Sequence, residues 1–345
     1  AGCRGTGAES GNPALLSAKG HTGEPVHLTV FQLGANIGDE EFAVLIAEPV
    51  KKKYPYITLE LIHADQQKTP ESLVSGGNIP DLVFTNAAGV RRFKDLQAVQ
   101  DLTEFVKAYS FDLGRFEPHV INTIKAIGDS GQLYAIPFSI NFTALFYNKD
   151  IFDKFGVPYP KDGMTWDELY DVARKLNKTD GGKQYVGLAI SPSHSMRMNN
   201  YSLPFVNPNT GKSTLDDERW KQILQPILAP AADANYQAKM VELNNKLPYS
   251  GEFLKSQELA IFGVFSNWQV VSPEPPAFNW DLAAYPTYKD KPGIGSQQYP
   301  NYWAIPSFSK NKEAAFEVLK YLTSDEYQME LSRRGDMTVL TNPEI

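Results

Sequence analysis

The sequence holds a single cysteine, Cys3, so no internal disulfide can form. Its five histidines, His21, His27, His63, His119 and His194, stand singly. None lies at metal-ligand spacing from another or from the cysteine, so neither a metal nor any other cofactor is expected. No stretch approaches the roughly 18 consecutive apolar residues needed to span a bilayer. Positive charge is in deficit: the net charge of −7 argues against nucleic acid as a partner. No Gly-x-Ser-x-Gly nucleophile motif and no repeat of fixed period occurs.

What remains is a globular composition, 42% hydrophobic and 21% charged, on 345 residues, a length that suits two lobes better than one core. Aromatic residues make up 12%, with tyrosine nearly as common as phenylalanine. Most aromatics pack in cores, but exposed aromatic faces suit sugar rings.

Residues 1–25 are rich in Gly, Ser, Ala and Thr and lack apolar periodicity, as in a flexible spacer. Ala1 and Gly2 directly before Cys3 resemble the end of a bacterial lipoprotein signal, where the cysteine thiol receives a diacylglycerol. Cys3 is therefore expected to be a lipid attachment site that tethers an extracytoplasmic protein to the membrane.

From Val26 the pattern alternates. Val26, Leu28 and Val30 predict a strand that ends in the loop Gly34-Ala35-Asn36-Ile37-Gly38. Phe42, Leu45, Ile46 and Val50 form a helical stripe that Pro49 should bend. Ile57, Leu59 and Leu61 predict a second strand, a helix through Leu73 ends at Gly76-Gly77, and Pro80 to Phe84 predicts a third strand. Such β-α-β-α-β order implies a largely parallel sheet covered by helices, with ligands at the loops after the strands. Those loops carry Asn36, Asp65 and Asn86. Phe138 to Asn148 reads as an extended crossing between lobes. Thr165 with Glu168 forms a capping box for a helix striped by Trp166, Leu169, Ala173 and Leu176. Leu259 to Phe265 predicts a buried strand before Ser266-Asn267-Trp268, and Gly335 should stop the last helix. Trp166 and Trp220 sit on helix stripes and read as core.

Several segments together resemble the sugar-type extracellular solute-binding proteins, the family of maltose-binding protein. They are Gly76-Gly77-Asn78-Ile79-Pro80-Asp81-Leu82-Val83-Phe84; Leu133 to Pro137 followed by Ala144-Leu145-Phe146-Tyr147-Asn148-Lys149-Asp150; Met164 to Leu169; Phe262 to Trp268; and Ala304 to Ser324. Each is weak alone, but five occur in order across roughly residues 28 to 335. The resemblance implies an α/β, two-lobed periplasmic-binding-protein-like fold of type II, each lobe a mostly parallel sheet flanked by helices. The lobes should comprise 26–137 with 278–322, and 138–277 with 323–345, the second cut short at Ile345. It further implies a monomer that captures a carbohydrate by closing its lobes, delivers it to ABC transporter permease subunits, and performs no catalysis.

A sugar needs planar amides or carboxylates for its hydroxyls and aromatic rings for its C–H faces. By matching segments, the candidate ligand-binding residues are Asn36, Asp65, Asn86, Asn141, Trp268, Tyr302 and Trp303. Trp268 leads, at the end of a buried strand. Asn141 lies two residues past Ser139 in the crossing. Of Tyr302 and Trp303, strand alternation lets one reach a ligand. Arg197 and Asn199 are second-lobe candidates. Three alternatives stay open at this point: the same fold binding a peptide, a polyamine or a metal complex. A polysaccharide-degrading enzyme is a further one, requiring two carboxylates about 5 to 9.5 Å apart. The acids that can be placed serve helix starts and turns.

Overall fold

The computed structural model describes residues 24–35, 37–207, 210–268 and 276–345. Asn36 and Cys3 lie outside that set. The chain forms two compact units, Ala1–Ile140 with Pro300–Ile345, and Asn141–Tyr299.

The first unit is built on strands β1 (Val26–Leu33), β2 (Ile57–His63), β3 (Leu82–Thr85), β4 (Ile136–Asn141) and β10 (Tyr299–Ala304), in the order β2-β1-β3-β10-β4. β1 runs parallel to β2 and β3, as the β-α-β-α-β pattern predicts, while β10 lies antiparallel to β3. The Pro80-Asp81 entry to β3 has a physical purpose. The Asp81 carboxylate accepts from the Thr29 backbone N–H at 3.0 Å, the Ser309 hydroxyl at 2.7 Å and the Asn311 amide at 3.0 Å. One buried acid thereby ties β1 to the loop that precedes the helix Lys312–Leu322.

The bend expected at Pro49 is a π turn, Ala43–Ala47, followed by the helix Glu48–Lys53. Proline has no N–H to give to the carbonyl four residues back, Leu45. That carbonyl accepts instead from the buried Tyr327 hydroxyl, on the helix Asp325–Arg333. Gln328 on the same helix is fully buried and fully used. Its amide nitrogen donates to the carbonyls of Phe138 and Leu322, each at 3.0 Å, and its oxygen accepts from the Thr338 hydroxyl at 2.7 Å. These bonds place 323–345 in the first unit, whereas the sequence reading assigned them to the second lobe. Gly335 follows the helix with φ +95°, the stop its residue type indicates.

The second unit holds β5 (Thr143–Asn148), β6 (Lys178–Asp180), β7 (Lys183–Ile190), β8 (Leu259–Phe265) and β9 (Trp280–Ala284), in the order β6-β7-β8-β5-β9. β7 and β8 are parallel, but β5 runs antiparallel to both β8 and β9, and β6 antiparallel to β7. This sheet is mixed rather than mostly parallel. An apolar run announces a buried strand without its direction, which tertiary pairing sets. The β5–β9 ladder also brings 280–284 into this unit, beyond the boundary at 277 expected from sequence.

Thr165 and Glu168 form the capping box, with the Glu168 carboxylate accepting from the Thr165 N–H at 2.8 Å. The helix Trp166–Leu176 packs on β7 so tightly that a Cβ at Gly187 would lie 2.0 Å from the Ala173 carbonyl oxygen. Only glycine fits there. Trp166 and Trp220 are buried, as their stripes imply. In the helix Arg219–Leu228, Pro226 removes the donor for the Gln222 carbonyl, which accepts from the Tyr288 hydroxyl at 3.1 Å. A tyrosine thus completes a proline-interrupted helix in each unit.

Candidate functional site

The loops that follow parallel strands are the natural ligand face of each unit. In the first unit, the β1 loop is fixed by its own side chains. The Gln32 amide donates to the Ala35 carbonyl at 2.6 Å, and His63 joins Gln32 to Asp39, the latter at 2.7 Å. Gly34 adopts φ +74°, and a Cβ on it would come within 2.6 Å of the Asn86 amide nitrogen.

Asn86 caps the helix Ala87–Asp95. Its oxygen accepts from the Gly89 N–H at 3.0 Å and its nitrogen donates to the Gly34 carbonyl at 2.8 Å. Both ends of the amide hold the loop, so Asn86 shapes this face. Asp65 is exposed. One carboxylate oxygen accepts from the backbone N–H groups of Lys68 and Gln67, at 2.6 and 2.7 Å, and these donors hold its pKa below the ordinary range. Its second oxygen has a long contact, 3.9 Å, to Lys68.

Tyr302 and Trp303 are a correction: both are fully buried. Tyr302 donates its hydroxyl to the Val120 carbonyl at 3.2 Å, and burial pushes its pKa up. Trp303 packs its ring 4.7 Å from Phe84 and 5.8 Å from Phe138. Alternation does send the two side chains to opposite faces, but helices and loops cover both faces of this sheet. Ser139 is likewise buried, beside the Asn301 amide at 3.4 Å.

The second unit gathers a different set at the C-terminal ends of β7 and β8 and the N-terminal end of β5. Thr143 pairs in register with Phe265, so their side chains share a face of the sheet. The His194 ring lies on the Phe265 ring, centroids 4.0 Å apart, and Tyr299 approaches Phe265 at 6.1 Å. Ser296 accepts from the Thr143 backbone N–H at 2.7 Å. Around this cluster three buried polar atoms have no partner among the described residues: Asn141 Oδ1, Thr143 Oγ1 and His194 Nδ1. Native interiors seldom leave such atoms unpaired, and here two of them, on Thr143 and His194, belong to residues that adjoin Phe265. Burial, with the Arg197 charge nearby, lowers the His194 pKa from 6.5 to about 4, so the ring is neutral at neutral pH.

Trp268 sits one turn past β8, half-buried. It packs edge-on against Phe146 and Phe262, each at 5.2 Å, and Phe253 at 5.8 Å, on the opposite face of the sheet from Thr143. Three rings thus fix its orientation while part of it stays open to solvent. Arg197 is exposed. Asn199 is buried and all four of its bonds are internal, to the carbonyls of Met196 and Leu203 and the N–H groups of Tyr201 and Leu203. It therefore folds its own loop. Sequence reasoning passed over Thr143 and His194. The signal for His194 was its place just after a buried strand, masked by treating the histidines only as metal ligands.

Comparison with known proteins bears on both units. The profile of the bacterial extracellular solute-binding proteins matches residues 38–329. A lactose-binding protein of Rhizobium radiobacter is 24% identical over 327 residues, 86% of this chain and 72% of that protein. The sn-glycerol-3-phosphate-binding periplasmic protein of Shigella dysenteriae is 30% identical over 141 residues. That match takes in 39% of this chain and spans 31% of the relative's length. An ABC substrate-binding protein from Listeria monocytogenes, solved in complex with cycloalternan, superimposes with a TM-score of 0.75 at 18% identity, over 93% of this chain and 81% of that one. The fold is the two-lobed α/β fold of such proteins. With a family profile matched over most of its length, this chain belongs to the bacterial extracellular solute-binding proteins.

Proposed function

We propose that this protein is the ligand-capturing subunit of a bacterial ABC importer and that its ligand is a carbohydrate. The observation that carries the reading is the strand-end cluster of the second unit, where unpaired polar atoms of Thr143 and His194 adjoin the half-buried ring of Phe265, with that of Asn141 two residues before Thr143. Hydroxyl-sized polar groups beside an aromatic face are what a sugar requires. Two of the similar proteins bind lactose or were solved with cycloalternan, which supports the same class. From the first unit, Asp65 keeps a carboxylate oxygen for a hydroxyl, and Asn36 remains a candidate. The function calls for no covalent chemistry: a ligand that binds one conformation better shifts the protein toward it. Delivery to permease subunits, a monomeric state and an extracytoplasmic lipid tether at Cys3 belong to this reading. Mass spectrometry of the protein expressed in a bacterium behind a lipoprotein signal sequence tests the tether.

A thermal-shift screen tests the ligand class, since binding to the folded state alone raises Tm. Lactose, maltotriose and mannobiose form one arm; a peptide and a polyamine form the other. A shift from the second arm alone refutes the carbohydrate assignment. Turnover of any glycoside would refute capture without catalysis. Trp268→Ala should weaken sugar binding by about 1–3 kcal/mol, within the range of aromatic burial energies. Unchanged calorimetric affinity in a folded variant removes Trp268 from the site.

A further inference from the structure

The chain passes from the first unit to the second between Ile140 and Asn141 and returns between Tyr299 and Pro300. We infer that the segment 336–341, together with Gln328, is a clamp on the first passage: it fixes Ile140 and confines conformational change there to Asn141 and Phe142. This role depends on the capture reading, in which a ligand shifts a conformational equilibrium, and it names the joint on which that shift turns.

β4 is an edge strand of its sheet, so its outer N–H and C=O groups need partners from elsewhere. At its exit end those partners come from almost 200 positions along the chain, Gln328 and Met337. The Ile140 N–H donates to the Met337 carbonyl at 3.1 Å in an antiparallel bridge, and the Phe138 carbonyl accepts from the Gln328 amide at 3.0 Å. The segment is gripped on its far side too. The Glu117 N–H donates to the Val339 carbonyl at 2.8 Å, and the Thr341 N–H to the Arg115 carbonyl at 2.9 Å. The Gln328 oxygen accepts from the Thr338 hydroxyl at 2.7 Å and the Val339 N–H at 3.3 Å. One buried amide thus holds both β4 and the segment, and Val339 and Leu340 are buried beside it.

The second unit takes hold again two residues on. Phe142, the single residue between β4 and β5, donates its N–H to the Ser266 hydroxyl at 3.4 Å and accepts from the Ser266 N–H at 2.8 Å. The Thr143 N–H donates to the Ser296 hydroxyl at 2.7 Å. Between the two grips lies Asn141, whose side-chain oxygen has no partner among the described residues and so offers no bond for a rotation to break. The return passage is stiffer. The ring of Pro300 holds its own φ at about −65°, and the buried Asn301 amide lies 3.4 Å from the Ser139 hydroxyl of β4. A few residues at the ends of elements are what a hinge requires, provided that the elements themselves stay fixed. A looser exit from β4 would give the free protein more conformations to surrender on capture, weakening binding with every ligand contact intact.

Amide hydrogen exchange of the full chain tests this, read by NMR at Ile140, Phe142 and the amides of β1, with lactose, maltotriose and mannobiose as ligands. In wild type, saturation with a sugar that binds should change exchange severalfold at Phe142 and leave Ile140 within about twofold. Thr338→Val removes a hydroxyl from the half-buried edge of the clamp, and Gln328→Leu removes the amide itself. In each, exchange at Ile140 should quicken about three- to tenfold, as for loss of one hydrogen bond, while the amides of β1 stay as in wild type. The sugar's Kd should rise about threefold or more. Equal acceleration at Ile140 and in β1 overturns the inference, because the segment then serves global stability alone. A ligand effect at Ile140 as large as at Phe142 overturns it too, since the flexure then runs into β4. So does a Kd indistinguishable from wild type beside a loosened Ile140. Thr338→Val, which keeps the shape of the side chain, decides the matter if Gln328→Leu does not fold. Failure of every sugar to bind removes the carbohydrate reading, and the comparison of Ile140 with β1 in the free variants still decides the clamp.

Discussion

Replacing Tyr327 by Phe should destabilise the first unit out of proportion to the single oxygen removed. The Tyr327 hydroxyl donates to the Leu45 carbonyl, which Pro49 leaves without its helical donor, and Tyr327 is 4% exposed. Removing the hydroxyl loses a hydrogen bond and strands a buried acceptor, at a cost of about 1–3 kcal/mol. For a unit of this size that is a fall in Tm of roughly 2–4 °C per kcal/mol. The decisive assay is a double-mutant cycle with Pro49→Ala, read by urea denaturation. Pro49→Ala returns a backbone N–H to the helix, so Tyr327→Phe should cost less in that background, with a coupling of about 1 kcal/mol. Equal costs in both backgrounds would show that proline does not create the need the tyrosine meets.

Two further outcomes follow from buried charge. His194 should titrate near pH 4 by NMR, against its ordinary value of 6.5. Its folded pKa is depressed, so the unfolded chain binds more protons between these values. Stability is full above pH 6.5 and falls as pH drops toward 4, by at most ~2–3 kcal/mol from this group once solvent screening at the ring's open edge is discounted. His194→Gln should flatten that part of the Tm-versus-pH curve, and an unchanged slope refutes the attribution. Lys239, fully buried, sits 2.8 Å from Glu242 and 3.0 Å from the largely buried Glu258. Lys239→Ala should cost about 3–5 kcal/mol in chemical denaturation, because it leaves Glu258 unpaired, and Lys239→Met combined with Glu258→Leu should cost markedly less. A double variant as unstable as Lys239→Ala argues that the lost side-chain packing, not the stranded charge, sets the cost.

The candidate site was legible in uneven degree. Asn141 was marked by its place in the extended segment and Trp268 by its place after a buried strand; the structure puts Asn141 at the end of β4 and Trp268 just past β8. Asn86 and Asn199 carry the same amide that a ligand site needs, but whether an amide faces a ligand or its own loop depends on which backbone groups lie within about 3 Å. Trp303 had the residue type and the strand of a ligand residue, and it ended between Phe84 and Phe138. His194 gave no motif at all, since its meaning lies in a contact with Phe265, 71 positions away along the chain.

By itself, the sequence determined what is local. Alternation and stripes marked strands and helices, Thr165 with Glu168 marked a helix start, Gly335 a stop, and Pro49 an interruption, because each acts through backbone atoms a few residues away. Tertiary structure alone decided what depends on distant partners. It set the antiparallel course of β5 and assigned the last residues to the first unit through Gln328. It also gave Tyr327 and Tyr288 to carbonyls that prolines had freed. Most of all, it left polar atoms of Thr143 and His194, two residues beside Phe265, unpaired among the described residues. Burial and pairing are properties of the packed chain, and no window of sequence contains them.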